Sequence, residues 1–176
     1  MKTTTTLIYI HGLGSDRNSR KFQDLKVFFG NTFNYDFLEW NNDSDIPILI
    51  NDIASKYHAE DLIIVGDSTG ANFAYQLREQ IKESGADTVL ILTSPLLDIN
   101  NRIADFAFPP KLIPQLWKIE HPEDALIIAS KDDEVLNQKV LFEKSLKNVE
   151  LLEVDDGHRL ESFHTYIPKI KNYIFS

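Results

Sequence analysis

Residues 62–70 read LIIVGDSTG, an apolar β-branched run followed directly by a Gly-x-Ser-x-Gly turn. A helical pattern begins at about residue 69, so the stretch predicts a buried strand, a sharp turn and a helix. Such a turn forces Ser68 into strained backbone angles and lifts its hydroxyl clear of the strand, provided that positions 66 and 70 carry no side chain. The other interpretation is a phosphate-binding or merely tight strand-to-helix turn.

Similar apolar runs flank this stretch on both sides and predict six strands: Leu7–Ile10, Phe33–Leu38, Leu62–Val65, Thr88–Leu92, Leu126–Ile128 and Val149–Val154. Apolar residues at helical spacing predict helices near 22–29 and 46–53, from about Thr69 to Glu83, from Asn137 to Ser145 and from Glu161 to Ile174. Strands alternating with helices predict an α/β fold with a doubly wound, mostly parallel six-stranded sheet and helices on both faces. We expect a single domain over residues 1–176.

One segment breaks this alternation. Between about residues 98 and 123 the chain has four prolines together with Phe106, Phe108 and Trp117, which is too irregular for a plain crossover helix. We expect a short, lid-like insertion over the strand ends.

Composition excludes several classes of protein. The chain has 176 residues, 43% of them hydrophobic and 26% charged, which is typical of an ordinary globular domain. A net charge of −9 would repel nucleic acid. The chain contains no cysteine, no signal-peptide core and no apolar stretch of roughly 20 residues, so we expect a cytoplasmic protein without membrane contact. No histidine pair has zinc-helix spacing and no phosphate-loop motif is complete, so we expect neither metal nor cofactor.

A serine hydroxyl needs a base to accept its proton before it can act as a nucleophile. His158 follows Gly157 at the end of the last predicted strand, at the edge where Ser68 should project. The other candidate bases are less well placed: His58 precedes a strand, His164 falls inside the last helix and His121 belongs to the insertion.

The base in turn needs a carboxylate to orient it. Asp132 and Asp133 both follow the predicted strand 126–128, and their position alone does not separate them. Asp98, after the fourth strand, is a reserve candidate. The order serine, acid, histidine along the chain is the one that α/β hydrolases use.

Acyl transfer also needs hydrogen-bond donors for the oxyanion that forms in the transition state. The backbone N–H of Thr69 follows the serine at a helix N-terminus, and a second N–H is expected from Leu13 in the loop after the first strand. Within that loop, Gly12 allows close approach to a substrate, and His11 is expected beside it, more as a backbone hydrogen-bonding group than as a reactant.

Four segments together resemble the α/β-hydrolase superfamily: Ile10–Leu13, Gly66–Gly70, Asp132–Val135 and Gly157–His158. They occur in the family's order and span nearly the whole chain. The short length and the early His-Gly loop resemble the small bacterial YqiA-like esterases and related RBBP-type serine hydrolases. The family's acid usually lies in Asp-x-Val, which matches residues 133–135, so the resemblance implies that Asp133 rather than Asp132 orients the histidine.

The resemblance implies a minimal α/β-hydrolase fold without a large cap. It also implies a serine hydrolase that cleaves small carboxylic esters or thioesters through an acyl-enzyme intermediate, with no cofactor. The insertion is then the obvious wall of a substrate pocket, and we expect Phe106, Phe108 and Trp117 to bind substrate together with His11 and Gly12, although these aromatic residues could instead be ordinary core. Asp67 is a departure from the family, and we expect its charge to discourage anionic acyl groups. The alternative function is a catalytically silent binding protein of the same fold.

Overall fold

Six parallel strands form one sheet in a computed structural model that describes residues 5–176. The strands are β1 (Thr6–Ile10), β2 (Asn34–Leu38), β3 (Leu62–Asp67), β4 (Thr88–Thr93), β5 (Ala125–Ala129) and β6 (Val149–Glu153). The helices are α1 (Arg20–Phe29), α2 (Ile46–Lys56), α3 (Thr69–Lys82), α4 (Lys139–Phe142) and α5 (Phe163–Ile174). Residues 1–4, the start of the expected 1–176 domain, lie outside the described residues. Within residues 5–176, no helix is long and apolar enough to cross a bilayer.

The strand order is β2-β1-β3-β4-β5-β6, and every pairing is parallel. The predicted doubly wound sheet is therefore confirmed, and it is parallel throughout. The chain reverses its direction of winding between β1 and β3, because β2 lies on one side of β1 and all later strands lie on the other. A crevice forms at such a switch point beyond the carboxyl ends of the strands. The loops after β1 and β3 border that crevice.

Successive side chains of β1 point to opposite faces of the sheet, and the core therefore has two layers. Leu7 and Tyr9 pack on one face of the sheet with residues of α1 and α5, whereas Ile8 and Ile10 pack on the other face with residues of α2 and α3. All four side chains are fully buried. A strand covered by helices on both faces is apolar at nearly every position, which explains the apolar runs of the central strands β1, β3, β4 and β5. The edge strands β2 and β6 are only partly buried.

The fourth predicted helix is largely wrong. Residues 137–145 were expected to be helical, but α4 covers only Lys139–Phe142. Its start is delayed because the preceding residue Leu136 forms an antiparallel bridge with Arg102 and the N–H of Asn137 donates to Asn101 O at 2.7 Å. Pairing with a distant segment thus replaces the first helical turn.

The insertion at 98–123 contains no α-helix, in agreement with its irregular sequence. Its regular structure consists of two 3₁₀ turns, Ile99–Asn101 and Ile113–Gln115, and the bridge at Arg102. It is tied to the body of the fold by backbone bonds such as Ile119 N–H to Leu97 O, at 2.8 Å. The segment is therefore anchored to the loop that follows β4.

Candidate active site

Ser68 occupies a strained turn between β3 and α3. Its φ of 51° and ψ of −116° lie in a region that residues with a side chain rarely adopt. Three backbone hydrogen bonds hold it there: its N–H donates to Thr93 O at 2.9 Å, and its carbonyl accepts from Ala71 and Leu96 N–H, both at 3.0 Å. The neighbouring strand β4 and helix α3 therefore maintain the strain.

The two glycines of the turn are required by close packing. A Cβ added at Gly66 would lie 2.5 Å from Ala74 Cβ, and one added at Gly70 would lie 2.2 Å from the backbone oxygen of His11. Neither distance is compatible with a side chain. The close approach of α3 to β1 and β3, which the Gly-x-Ser-x-Gly pattern predicts, is thus present.

Three side chains from separate loops form one continuous row of hydrogen bonds. Ser68 Oγ lies 2.9 Å from His158 Nε2, and His158 Nδ1 lies 2.8 Å from Asp133 Oδ2. With a proton on Nδ1, the ring donates to the carboxylate and accepts the serine proton at Nε2. Of the other candidates, Asp132 is exposed and Asp98 caps a 3₁₀ turn through Asn100 N–H. The remaining alternative bases are also exposed: His58, His121 and His164.

Asp133 is held as a carboxylate. Its side chain is fully buried, and its Oδ1 accepts from the N–H groups of Val135 and Leu136, both at 2.8 Å. Burial by itself would raise the pKa of Asp133, but the hydrogen bond and charge of His158, together with the two N–H donors, lower that pKa below its ordinary value. Gln138 Nε2 lies 3.4 Å from Oδ2 and completes the environment. Sequence analysis did not identify Gln138.

The loop that carries His158 is fixed by groups that sequence analysis also missed. The N–H of His158 donates to Glu134 Oε2 at 2.9 Å, and its carbonyl accepts from Ser94 Oγ at 2.8 Å. The carboxylate of Asp156 accepts from three backbone N–H groups and from Tyr166 Oη. These bonds fix the backbone on both sides of the imidazole ring and so fix the ring's position.

Two backbone donors lie beside Ser68. The N–H groups of Leu13 and Thr69 have no acceptor among residues 5–176, and both residues line a cavity that Ser68 also lines. The N–H of Thr69 is at the N-terminus of α3, where the helix dipole favours negative charge. Gly12 lets the Leu13 loop come close, because a Cβ on Gly12 would already lie 3.3 Å from Ser68 Cβ.

The position of His11 corrects the expectation that it binds substrate. Only 2% of it is exposed, and its ring stacks between Phe37 and Trp40. Nδ1 bonds to Gly12 O at 2.8 Å and Nε2 accepts from Trp40 N–H at 3.2 Å. Burial lowers the pKa of His11, which favours the neutral ring that the acceptor role of Nε2 requires. His11 therefore supports the Leu13 loop from beneath, out of reach of a substrate.

Two cavities of about 360 Å³ each flank Ser68 and His158. The first, which we call the polar cavity, is lined by Gly12, Ser15, Ser19, Arg20, Lys21, Asp67 and Glu161, among others. The second, the apolar cavity, is lined by Leu96, Phe106, Phe108, Val135 and Leu136, with Arg102 and Arg159. Leu13 and Gly14 line both. The two cavities therefore meet at Ser68 and His158, one with a mainly polar and the other with a mainly apolar lining.

The insertion aromatics do not all lie where they were expected. Phe106 and Phe108 line the apolar cavity, and Phe108 also belongs to the core. Trp117 lines neither cavity at Ser68, and its side chain is 47% exposed. The backbone of Trp117 is held by the side chain of Asn72, which bonds to its N–H and its carbonyl. The expectation that Trp117 contacts substrate has no support in its position.

Asp67, the residue before the serine, is paired. Its Oδ1 lies 2.5 Å from Lys21 Nζ and accepts from Thr93 Oγ1 at 2.7 Å. The Lys21 side chain is only 5% exposed, so the positive charge is held close to the carboxylate. The charge of Asp67 is thus compensated, which removes the reason to expect that it repels an anionic acyl group.

Residues 5–176 contain no group of three or more His, Cys, Asp or Glu side chains that could hold a metal ion.

The topology and the strained serine turn together define the α/β-hydrolase fold. The profile of an uncharacterised protein family, UPF0227, matches residues 110–175, less than half of the chain, and agrees with the resemblance to YqiA-like proteins. No curated protein sequence matches significantly.

Solved structures of similar fold cover nearly the whole chain. Est1E from Butyrivibrio proteoclasticus has a TM-score of 0.67 at 16% identity, over 100% of this chain and 90% of that one. An α/β superfamily hydrolase from Oenococcus oeni PSU-1 has a TM-score of 0.63 at 16% identity, over 100% and 95%. The esterase domain of a Rhodothermus marinus protein has a TM-score of 0.61 at 14% identity, over 96% and 84%. At these identities the similarity establishes the fold.

Proposed function

We propose that this protein is a serine hydrolase that cleaves small carboxylic esters or thioesters through an acyl-enzyme intermediate. The observation that carries the proposal is the unbroken row from Ser68 Oγ through His158 to Asp133, with contacts of 2.9 and 2.8 Å. A serine in a strained turn, bonded to an imidazole that is bonded to a buried carboxylate, is the arrangement needed to activate a hydroxyl. Two of the similar structures, a hydrolase and an esterase domain, support the proposal of this activity.

In the proposed reaction, Ser68 Oγ attacks the acyl carbon while His158 Nε2 takes the hydroxyl proton. The resulting oxyanion accepts hydrogen bonds from the N–H groups of Leu13 and Thr69, each worth about 3 kcal/mol in the transition state. When this tetrahedral intermediate collapses, the bond between the acyl carbon and the leaving group breaks, and the leaving group takes the proton from His158. Asp133 stabilises the imidazolium and keeps Nδ1 protonated.

A water molecule then regenerates the enzyme. His158 Nε2 removes one proton from the water as its oxygen attacks the acyl-enzyme, and returns that proton to Ser68 Oγ when the carboxylic acid leaves. The reaction is balanced by water alone, so the proposal needs no metal or cofactor. We propose a small-molecule acyl substrate and a cytoplasmic location.

The test is turnover of 4-nitrophenyl acetate, butyrate and longer esters by purified protein beside Ser68→Ala and His158→Ala. We expect release of 4-nitrophenol by the wild type, with a preference for the short chains, and a loss of about 10³-fold or more in both variants. Asp132→Asn is the matched control, because its side chain is exposed beside the buried Asp133.

Equal turnover by the wild type and Ser68→Ala would reject the mechanism. A folded wild type that releases no 4-nitrophenol from any ester, and is not modified by a fluorophosphonate, would favour the catalytically silent binding protein instead.

A further inference from the structure

The apolar cavity carries an uncompensated positive charge in an acidic protein. Its lining includes two arginines, Arg102 and Arg159, and no aspartate or glutamate. Neither guanidinium has a carboxylate within ion-pair distance among residues 5–176. The chain as a whole has a net charge of −9, so this local excess of positive charge goes against its overall composition.

Arg102 is held in place before any ligand arrives. Its Nη2 donates to Phe106 O at 2.9 Å, and its guanidinium carbon lies 4.7 Å from the centre of the Phe106 ring and 5.2 Å from that of Phe108. Its backbone is fixed by the bridge to Leu136, three residues beyond Asp133. These contacts use one donor of the guanidinium and leave others for a ligand. A fixed guanidinium binds an anion at less entropic cost than a mobile one.

Arg159 supplies a second positive charge at the solvent-exposed side of the apolar cavity. It follows His158 directly, is exposed, and lines both the polar and the apolar cavity. Its backbone carbonyl accepts from Arg20 Nη2 at 3.0 Å, while its own guanidinium has no hydrogen-bond partner among residues 5–176. The two arginines therefore border a largely apolar space that also contains Ser68.

Three carboxylates around Ser68 and His158 have partners other than these two arginines. Asp67 is paired with Lys21 on the side of the polar cavity, and Asp133 is paired with His158 behind the ring. Glu134, which accepts from His158 N–H, does not line the apolar cavity.

We propose that the apolar cavity binds an acyl chain that ends in a carboxylate, and that Arg102 and Arg159 pair with that carboxylate. The inference rests on the proposed function and narrows its substrates to monoesters or monothioesters of dicarboxylic acids. The methylene groups of such a chain pack against Leu96, Phe106 and Phe108, and the ester carbonyl reaches Ser68. The leaving group then lies on the side of the polar cavity.

The experiment compares ester pairs that have the same number of acyl carbons. The mono-4-nitrophenyl esters of glutarate, adipate and pimelate are measured against the pentanoate, hexanoate and heptanoate esters, with spontaneous hydrolysis subtracted. We expect kcat/KM to favour the anionic ester at one or more lengths by about tenfold, the worth of a charge-assisted hydrogen bond. The preference should shrink as ionic strength rises. A higher kcat/KM for the neutral ester at all three lengths would overturn the inference.

Variants assign the effect to the two arginines. Arg159→Gln should reduce the anionic-to-neutral ratio of kcat/KM about tenfold, and Arg102→Gln should reduce it as much, whereas Arg102→Lys should retain part of it. Lys147→Gln removes the same charge from a residue that lines neither cavity, and it should leave the ratio unchanged. Because Arg102 also supports Phe106, its variants are checked by thermal denaturation. If the Arg102 variants unfold, Arg159→Gln still tests the proposal, because Arg159 is exposed. An unchanged anionic-to-neutral ratio of kcat/KM in Arg159→Gln would refute the proposed role of Arg159.

A second pair of substrates locates the anion. 4-Acetoxybenzoate and its methyl ester differ in charge only on the leaving group. Because Arg102 lines the apolar cavity and not the polar one, we expect Arg102→Gln to change their relative rates by less than about twofold. If replacing the arginines changes the relative rates of this pair and not those of the dicarboxylic monoesters, the arginines bind a carboxylate of the leaving group. That result would overturn the assignment of the carboxylate to the acyl chain. If the wild type hydrolyses neither neutral nor anionic esters, the proposed function itself fails, whereas turnover of neutral esters without the anionic preference defeats only this inference.

Discussion

Replacing Gly70 by alanine tests whether the geometry of the serine turn controls activity. The new Cβ would lie 2.2 Å from His11 O and 2.3 Å from Ile10 O, and both contacts are with backbone. To reach an acceptable contact, α3 and the end of β1 must separate by about 1 Å. Such overpacking costs about 1–3 kcal/mol of the free energy of unfolding. Because Leu13 lies just beyond β1 and Thr69 begins α3, the same shift moves the two N–H donors apart.

A displacement of about 1 Å at a reacting centre lowers kcat roughly hundredfold, which is the effect expected here on hydrolysis of 4-nitrophenyl butyrate. Gly85→Ala is the matched control. Gly85 has a positive φ of 79°, so alanine there costs about 1 kcal/mol of stability, but its Cβ would meet nothing within 4 Å and the residue lies far from Ser68 in the chain. We expect normal kcat in this control. Wild-type kcat in a folded Gly70→Ala protein, measured beside its thermal denaturation, would refute the reasoning.

Three further predictions concern the groups around the serine. Asp133→Asn should lower kcat about 10⁴-fold and Asp132→Asn should change it less than about twofold, as measured by ester hydrolysis; similar losses in both would contradict the assignment. Because the buried ring of His11 has a lowered pKa, the unfolded chain binds a proton that the folded chain excludes, so the free energy of unfolding should fall between about pH 7 and pH 5. Denaturant titrations at each pH should show a smaller decrease in the free energy of unfolding for His11→Gln than for the wild type. An equal pH dependence of this free energy in the two proteins would contradict the prediction. Lys21→Met should cost about 3 kcal/mol by leaving Asp67 without its partner, and adding Asp67→Asn should recover part of that loss; a neutral single variant would show that the pair is not needed.

The strands and the serine turn could be predicted because their sequence signals are local. All six predicted strands are present, and the central strands β1, β3, β4 and β5 are largely buried on both faces and therefore form nearly continuous apolar runs. The edge strands β2 and β6 are only partly buried and include charged residues. The turn at Ser68 requires glycines at fixed positions on either side, and the clashes at Gly66 and Gly70 show why.

Features fixed by distant partners could not be predicted. The helix expected at 137–145 is shortened by a bridge to Arg102, 34 residues before Leu136. The burial of His11 depends on Trp40, and no local signal separates a buried loop histidine from one that faces a substrate.

Position along the chain alone does not separate Asp132 from Asp133, and Asp133 is selected only through the resemblance to the Asp-x-Val motif. The partner of Lys21 is not predicted at all. Both Asp132 and Asp133 follow β5, and only the path of the loop after it turns Asp133 inward to the N–H groups of Val135 and Leu136. Lys21 lies in an ordinary amphipathic helix, and its partner Asp67 is 46 residues away.

The central claim, that Ser68 is an activated nucleophile, is tested most directly by mapping the residue that a fluorophosphonate modifies. Ser15 and Ser19 line the same polar cavity, so they are internal controls for exposure without activation. Mass spectrometry of the labelled, digested wild type should find the phosphonate on Ser68 alone, and His158→Ala should abolish labelling while the protein stays folded. Labelling of Ser15 or Ser19 at a comparable rate, or undiminished labelling of Ser68 in His158→Ala, would contradict the account.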